Sequence, residues 1–307
     1  MPKLRLLLIG QNEFGRAALE AFIARGHAVA DVFCAPDKPG AKPDPLKVAA
    51  HARGVQVHQF ASLRSPEAHS LMREAAPDLV VMAYVLQFAP ESLLAIPRLG
   101  AIQYHPSLLP RHRGPSAISW AIASGATHTG VSIFRPTDGL DEGPILLRKS
   151  CEIGPDDTLG ELYFNKLFPM GIEALVETAE RIGEGHSEEH EQELGTASYE
   201  GWLRDESAQI HWGLHVDVLH NLIRACNPSP GAWTMLAGKK VRLYECRKLP
   251  TPTFASLAGP PGTIAAIAGG SIVFNANGGQ IEVLRLRPEG GAKMAAADFA
   301  GQAGLKA

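Results

Sequence analysis

The run Leu4–Ile9, apolar but for Arg5, stops at Gly10, and the chain then changes period. From Glu13 to Arg25 the residues Phe14, Ala17, Ala18, Ala21 and Phe22 fall on one helical face. The same switch recurs. "AVADVF" reads as a strand, Pro45–Arg53 as a helix, "VQVHQF" as a strand and Pro66–Ala75 as a helix. "DLVVMAYV" is a buried strand, Pro90–Ala95 a short helix, "GAIQYH" a strand and Ser116–Ala123 a helix, with "GVSIFR" and "PILLRKS" as two further strands. Runs apolar on both faces and separated by helices specify a mostly parallel sheet covered on both sides. The expected fold class is α/β, with a doubly wound sheet.

Beyond the last of these strands the pattern changes. Asp157–Gly185 holds one long helical pattern, from a good N-cap site to a glycine stop. Residues 186–204 are polar and charged and read as a linker. One helix follows, "VDVLHNLIRAC", and then the breaker run "NPSPGAW". The short β-like pieces "KKVRLYECRKL", "GTIAAIA", "GSIVFNA" and "GQIEVLRLRP" are separated by Gly and Asn turns, with "FASLAGPPG" as a loop. Such close spacing predicts a small antiparallel β-barrel of OB-like kind. The expected organisation is a first domain over 1–185, a linker over 186–204 and a small β domain over 205–307.

Net charge narrows the partners. The total of −3 argues against a protein that coats nucleic acid. From Asp205 onward ten basic residues face seven acidic ones, which leaves about +3 there and about −6 before it. No apolar run reaches the roughly 18 residues of a membrane span, so no membrane partner is expected. The N-terminal "MPKLRLLLIGQNEFG" lacks a signal-peptide cleavage site and reads as the first strand. Cys34, Cys151, Cys226 and Cys246 lie far apart, and no CxxC exists, so neither a zinc site nor a disulfide framework is signalled. The expected compartment is the cytoplasm.

The stretch "IQYHPSLLPRHRGPSAISW" holds the chemically richest residues. His105 ends the strand "GAIQY", and ligands of a doubly wound sheet sit beyond the carboxyl ends of its strands. Asp138 and Asp141 follow the strand "GVSIF", so two neighbouring strands would deliver an imidazole and a carboxylate to one rim. Gln103, two residues before His105, points to the same face of its strand and adds an amide donor. Such a set suits acyl-type transfer through a tetrahedral intermediate without an enzyme nucleophile. One His and one Asp are too few for a metal site. The same residues also read as a polar strand end, with Asp138 and Asp141 as turn residues. "GQNEFG" is not GxGxxG and reads first as a tight strand-to-helix turn, second as an anion site.

"HPSLLPRHRGPSAISWAI", "TDGLDEGPIL" and "IRACNPSPGAW", with "PDKPGAKPDPL", "TASYEG" and "LRPEGGAKMAAADF", resemble the 10-formyltetrahydrofolate-dependent formyltransferase family over essentially the whole chain. "YHPSLLPRHRG", "QFAP" and the "SIF…DGLD" run look most like the hydrolase domain of 10-formyltetrahydrofolate dehydrogenase. The resemblance implies a Rossmann-like domain that binds folate at the strand ends, followed by the small barrel. It implies that His105 and Asp141 are catalytic. It also implies that the pterin is gripped by backbone at Leu86, Gln87 and Phe88 and at Thr137, Asp138 and Gly139. The formyltransferases carry Asn two residues before the histidine, and the dehydrogenase's hydrolase domain an apolar residue; here the position is Gln103. The longer basic insertion by which methionyl-tRNA formyltransferases contact tRNA is reduced here to "APDKPGAKPDPL". Its Lys38 and Lys42, with Lys47 directly after it, are interleaved with Asp37 and Asp44, so tRNA is not the favoured partner. The dehydrogenase's carrier and aldehyde dehydrogenase domains are not expected, because the chain ends before them.

The expected function is removal of the formyl group from 10-formyltetrahydrofolate, without metal, to water or a small amine. The alternatives are methionyl-tRNA formylation, formylation of a sugar-nucleotide amine, and folate binding with weak catalysis. Ser107 reads as a turn residue or as a prop for the loop. Arg111 and Arg113 read equally as a solvated surface pair or as contacts for an anionic acceptor or the glutamyl tail.

Overall fold

A computed structural model describes residues 2–250 and 259–307, the side chain of Pro250 excepted. The expected loop "FASLAGPPG" therefore lies largely outside the described residues. Two compact units emerge. One comprises Met1–Gly114, Gly130–Cys151 and Asn165–Tyr199; the other comprises Pro115–Thr129, Glu152–Phe164 and Glu200–Ala307.

The main sheet is built from β1 (Arg5–Gly10), β2 (Ala28–Cys34), β3 (Gln56–Gln59), β4 (Leu79–Ala83), β5 (Ala101–His105), β6 (His128–Phe134) and β7 (Ile145–Glu152). Its order is β3-β2-β1-β4-β5-β6-β7. Strands β1 to β5 pair in parallel, while β5 and β6 are antiparallel. The order reverses between β1 and β4, the switch point of a doubly wound sheet. The intervening helices are α1 (Asn12–Ala24), α2 (Pro45–Ala52), α3 (Pro66–Ala75), α4 (Glu91–Leu94) and α5 (Ala117–Ala123). The β1–β4 registers pair Leu6–Ile9 with Leu79–Met82, and all eight side chains are buried, which is why these runs show no alternation.

The turn "GQNEFG" is a tight strand-to-helix connection. A Cβ at Gly10 would lie 2.3 Å from the carbonyl oxygen of Ala83, so only glycine admits this approach of β1 to β4. The N–H of Asn12 donates to both carboxylate oxygens of Asp44. A side chain from this unit thus occupies the start of α1.

The single long helix expected over 157–185 is interrupted. α6 (Leu159–Leu162) opens with a capping box between Thr158 and Glu161; a π-turn follows over Tyr163–Leu167, and α7 runs from Phe168 to Gly183. Pro169 has no N–H to give, and its ring crowds the carbonyl four residues back. The chain widens by one residue per turn just ahead of it. Within the first unit α7 covers the face of β5 that carries Tyr104. Phe14 of α1 stacks on that ring at 4.2 Å, and a Cβ at Gly171 would lie 2.4 Å from it. Gln103 and His105 point to the opposite face.

The second sheet is antiparallel, as expected. It consists of β8 (Ala232–Leu236), β9 (Lys239–Pro250), β10 (Ile264–Ala268), β11 (Ser271–Ala276), β12 (Gly279–Pro288) and β13 (Met294–Ala295), in the order β10-β11-β12-β9-β8, with β13 on β12. α8 (Val216–Ala225) buries Val216, Leu219 and Ile223 in a core with Val241, Leu243, Ile281 and Val283. Three elements were not legible in advance, the two-residue β13 among them. β8 begins inside the breaker run "NPSPGAW", and α9 (Ala296–Ala303) closes the same core through Phe299 and Ala300.

The polar stretch 186–204 follows the first unit as far as Tyr199. His190 exchanges both backbone hydrogen bonds with Ile145, and the N–H of Ser198 donates to the carbonyl of Pro110.

Candidate active site

His105 is the last residue of β5 and only 6% exposed at its side chain; Asp141 is 7% exposed. Their Nδ1 and Oδ2 atoms stand 3.6 Å apart, an ion-pair distance beyond a direct hydrogen bond. His105 Nε2 lies 2.8 Å from the carbonyl oxygen of His112. A carbonyl only accepts, so Nε2 carries a proton and Nδ1 is the atom left for chemistry. The N–H of Gly114 donates to Asp141 Oδ2 at 2.9 Å. Asp141 Oδ1 meets no donor among the described residues.

Asp141 reaches His105 by a route other than a shared rim. β6 runs antiparallel to β5, and its last residue, Phe134, pairs with Gln103. The loop between β6 and β7 therefore carries the carboxylate to His105, with Asp141 itself at φ 54°. Backbone in this region is costly for a residue with a Cβ and persists only where its surroundings enforce it.

The turn after β5 supplies that kind of constraint. Ser107 is fully buried; its Oγ donates to the carbonyl of Arg111 at 2.7 Å. Its own carbonyl accepts from Ser132 Oγ, which in turn accepts from the N–H of Leu109. The proposed role of Ser107 as a prop for this loop rests on the side chain as well as the backbone. Both readings of Arg113 are corrected. It is a buried cation, not a solvated or ligand-facing one: Nε and Nη2 donate to Gln192 Oε1, and Nη1 lies 3.3 Å from Glu142 Oε1. Arg111 is exposed.

Gln103 is half-buried on the His105 face, and its amide has no hydrogen-bond partner among the described residues. Leu86 and Phe88 are exposed large apolar residues. Gln87 ties its loop down by donating to the carbonyls of Phe60 and Ala61. Among the described residues no backbone group of Leu86, Gln87 or Phe88 is hydrogen-bonded to another backbone group. Thr137 Oγ1 accepts from the N–H of Gly139, and Asp138 Oδ1 accepts from the N–H of Glu91 at 2.9 Å. That last bond brings the 137–139 segment against the start of α4, three residues past Phe88. Among the described residues one hydrogen bond thus ties the 137–139 segment to the chain just beyond Phe88, and it engages the side chain of Asp138 at α4.

Sequence reasoning missed Gln192. It is buried; its Nε2 donates to the carbonyls of Asp141 and Gly143, both at 2.8 Å. It lies in a run of charges, where nothing in residue pattern marks one glutamine as internal. Among the described residues no group of three or more His, Cys, Asp or Glu could hold a metal ion, and no helix is long and apolar enough to cross a membrane.

A doubly wound domain with this imidazole–carboxylate pair, followed by an antiparallel β domain, matches known proteins along its length. The formyl transferase family matches residues 3–178, and the formyl transferase C-terminal domain matches residues 203–304. The chain belongs to the formyl transferase family. The human mitochondrial 10-formyltetrahydrofolate dehydrogenase is 38% identical over 97% of this chain, but the match spans only 33% of that protein. The chain thus covers about a third of the dehydrogenases it matches. The methionyl-tRNA formyltransferase of Geobacter metallireducens is 34% identical over 97% of this chain and 96% of its own length. Among solved structures, HypX from Aquifex aeolicus in complex with tetrahydrofolic acid shares the fold, with a TM-score of 0.69 and 19% identity over 99% of this chain and 48% of its own. The sugar 3N-formyl transferase WlaRD shares it with a TM-score of 0.70 and 15% identity over 92% of this chain and 98% of its own.

Proposed function

We infer that this chain removes the formyl group from 10-formyltetrahydrofolate and passes it to water or a small amine. The observation that carries this reading is the buried His105–Asp141 pair, with Nε2 committed to a carbonyl and Nδ1 left open. Folate would lie against Leu86–Phe88 and Thr137–Gly139; the backbone groups of Leu86–Phe88, which have no backbone partner among the described residues, suit the edge of a pterin, while Leu86 and Phe88 offer apolar walls. With the imidazole cationic, Nδ1–H donates to the formyl oxygen as negative charge develops there. Asp141 balances the ring's charge through Oδ2, and its free Oδ1 accepts the proton of the attacking water or amine. The tetrahedral intermediate collapses as a proton passes to N10 of the folate, which leaves as tetrahydrofolate. Gln103 adds a neutral amide donor on the same side.

A second reading, methionyl-tRNA formylation, is favoured by the nearly full-length match to a methionyl-tRNA formyltransferase. The 35–47 loop tells against it. Lys47 is paired with Asp37 and Gln59, so among the described residues only Lys38 and Lys42 of that loop carry unpaired positive charge, a small share for phosphate contacts. A cytoplasmic setting belongs to the proposal and is compatible with four cysteines that form no disulfide. Incubating the protein with 10-formyltetrahydrofolate, with and without candidate amines and initiator methionyl-tRNA, and following tetrahydrofolate release tests the reading. Release without added acceptor is the expected result, and no folate binding at all would sink it.

A further inference from the structure

The segment 190–199 does more than lead away from the first unit. At one end His190 pairs with Ile145, at the start of β7. Two residues on, Gln192 spends its whole amide between the loop that carries the carboxylate and Arg113, in the turn after β5. Its NH2 group holds the carbonyls of Asp141 and Gly143, and its oxygen receives two bonds from Arg113. At the other end Ser198 makes three bonds to the turn that holds the imidazole. Its Oγ accepts from the N–H of His112 at 2.9 Å, its N–H donates to Pro110, and its carbonyl accepts from the N–H of Arg113. His112 has φ 55°, and its carbonyl is the acceptor for His105 Nε2. Both strained residues of the site, Asp141 and His112, are therefore fastened by one stretch of chain.

The geometry points to Gln192 and Ser198 as positioning residues of the formyl-transfer reaction: a brace that sets the spacing and angle between His105 and Asp141 from outside the site. Ser198 acts through the His112 carbonyl on the ring orientation of His105, and Gln192 acts through the Asp141 backbone on the carboxylate. The inference rests on the reading of His105 and Asp141 as the reacting pair. Two features make the brace specific. The Oγ of Ser198 bonds the one N–H whose own residue presents the carbonyl to His105. The Gln192 amide bridges the site loop to a buried arginine rather than to solvent. Displacements of about 1 Å at a reacting group cost on the order of a hundredfold in rate.

The test uses S198A, S198T and Q192E in the full chain, beside H105A. S198A deletes one acceptor and keeps both backbone bonds. S198T keeps the acceptor. Q192E keeps size and the arginine contact but turns a carboxylate oxygen toward two carbonyls. We expect kcat for tetrahydrofolate release to fall between about tenfold and a hundredfold in S198A and Q192E. KM for 10-formyltetrahydrofolate should stay within about twofold, and S198T should restore kcat. In histidine labelled with nitrogen-15, the Nε2 proton of His105 should shift in S198A and return in S198T. The two arms are separate, so loss of fold in one variant leaves the other to decide. If H105A abolishes turnover while S198A and Q192E keep wild-type kcat and an unmoved His105 signal, the brace is wrong and the reaction stands. If H105A keeps turnover, the reaction reading fails. The His105 signal still reports in that case whether Ser198 holds the ring.

Discussion

Two histidines of this chain are buried beside an aspartate at almost the same distance, one in each unit. His105 Nδ1 lies 3.6 Å from Asp141, and His220 Nε2, on α8, lies 3.5 Å from Asp156. Their surroundings differ. Asp141 is buried and takes a backbone N–H, whereas the side chain of Asp156 is 80% exposed. His220 has a cation beside it, Arg224, which is itself buried and donates to the carbonyls of Gly154 and Asp157. Burial first, and then Arg224, hold the His220 imidazole below its ordinary value, with Asp156 and Asp217 opposing and Lys248 adding to the depression. An imidazole and a carboxylate in proximity do not make a site. The desolvated carboxylate, and a ring whose Nε2 is fixed on a backbone carbonyl, distinguish the first pair from the second.

The sharpest way to break the comparison is to remove the groups that make the two pairs different. H105A and D141N should each lower tetrahydrofolate release by about a hundredfold or more, in line with the loss of a preorganised donor or its charge partner. Single-turnover kinetics with 10-formyltetrahydrofolate measures this, and near-wild-type rates in either variant would remove that residue from the mechanism. Q103A should cost less, about tenfold in kcat, because the amide is neutral and donates from the side. An unchanged kcat in Q103A would leave His105 as the sole donor.

The matching change in the second unit should leave turnover within about twofold and alter acid stability instead. A histidine depressed in the folded state contributes fully while neutral, above its unfolded value of 6.5, and that contribution is lost as pH falls from there toward the folded value. Buried His27 is depressed by burial in the same direction and supplies a background of the same sign. In H220Q the drop in melting midpoint between about pH 8 and about pH 5 should shrink but not vanish. An undiminished drop would mean that His220 does not titrate on unfolding.

Residue pattern carried the strands of the main sheet because strands buried on both faces read as continuous apolar runs, as Leu6–Ile9 and Leu79–Met82 do. It carried the nearness of His105 and Asp141 but not the route. Strand direction leaves no mark in periodicity, so the antiparallel β6 and the loop that returns Asp141 were not legible. Pro169 was visible, but the helical pattern on either side concealed the π-turn it imposes. Arg113 and Gln192 were misjudged for one reason: a charged or amide side chain in a polar run looks solvated until its partners are known. The brace is legible only in three dimensions, since Gln192 and Ser198 act on residues 49 to 88 positions away.

The smallest expected effect is the most discriminating for the second pair. Asp156 is the exposed member, so D156N removes a charge that water already screens. The melting midpoint near pH 7 should move by about one degree or less, and turnover should not change. The effect should surface only in acid. Asp156 is one of the two carboxylates that oppose the depression of His220, so its loss depresses the imidazole further and steepens the fall in stability below about pH 6.5. D156N and H220Q should therefore move the acid limb in opposite directions from wild type. Followed by thermal melts across that range, a shift of both in the same direction would show that the pair acts through packing rather than through charge.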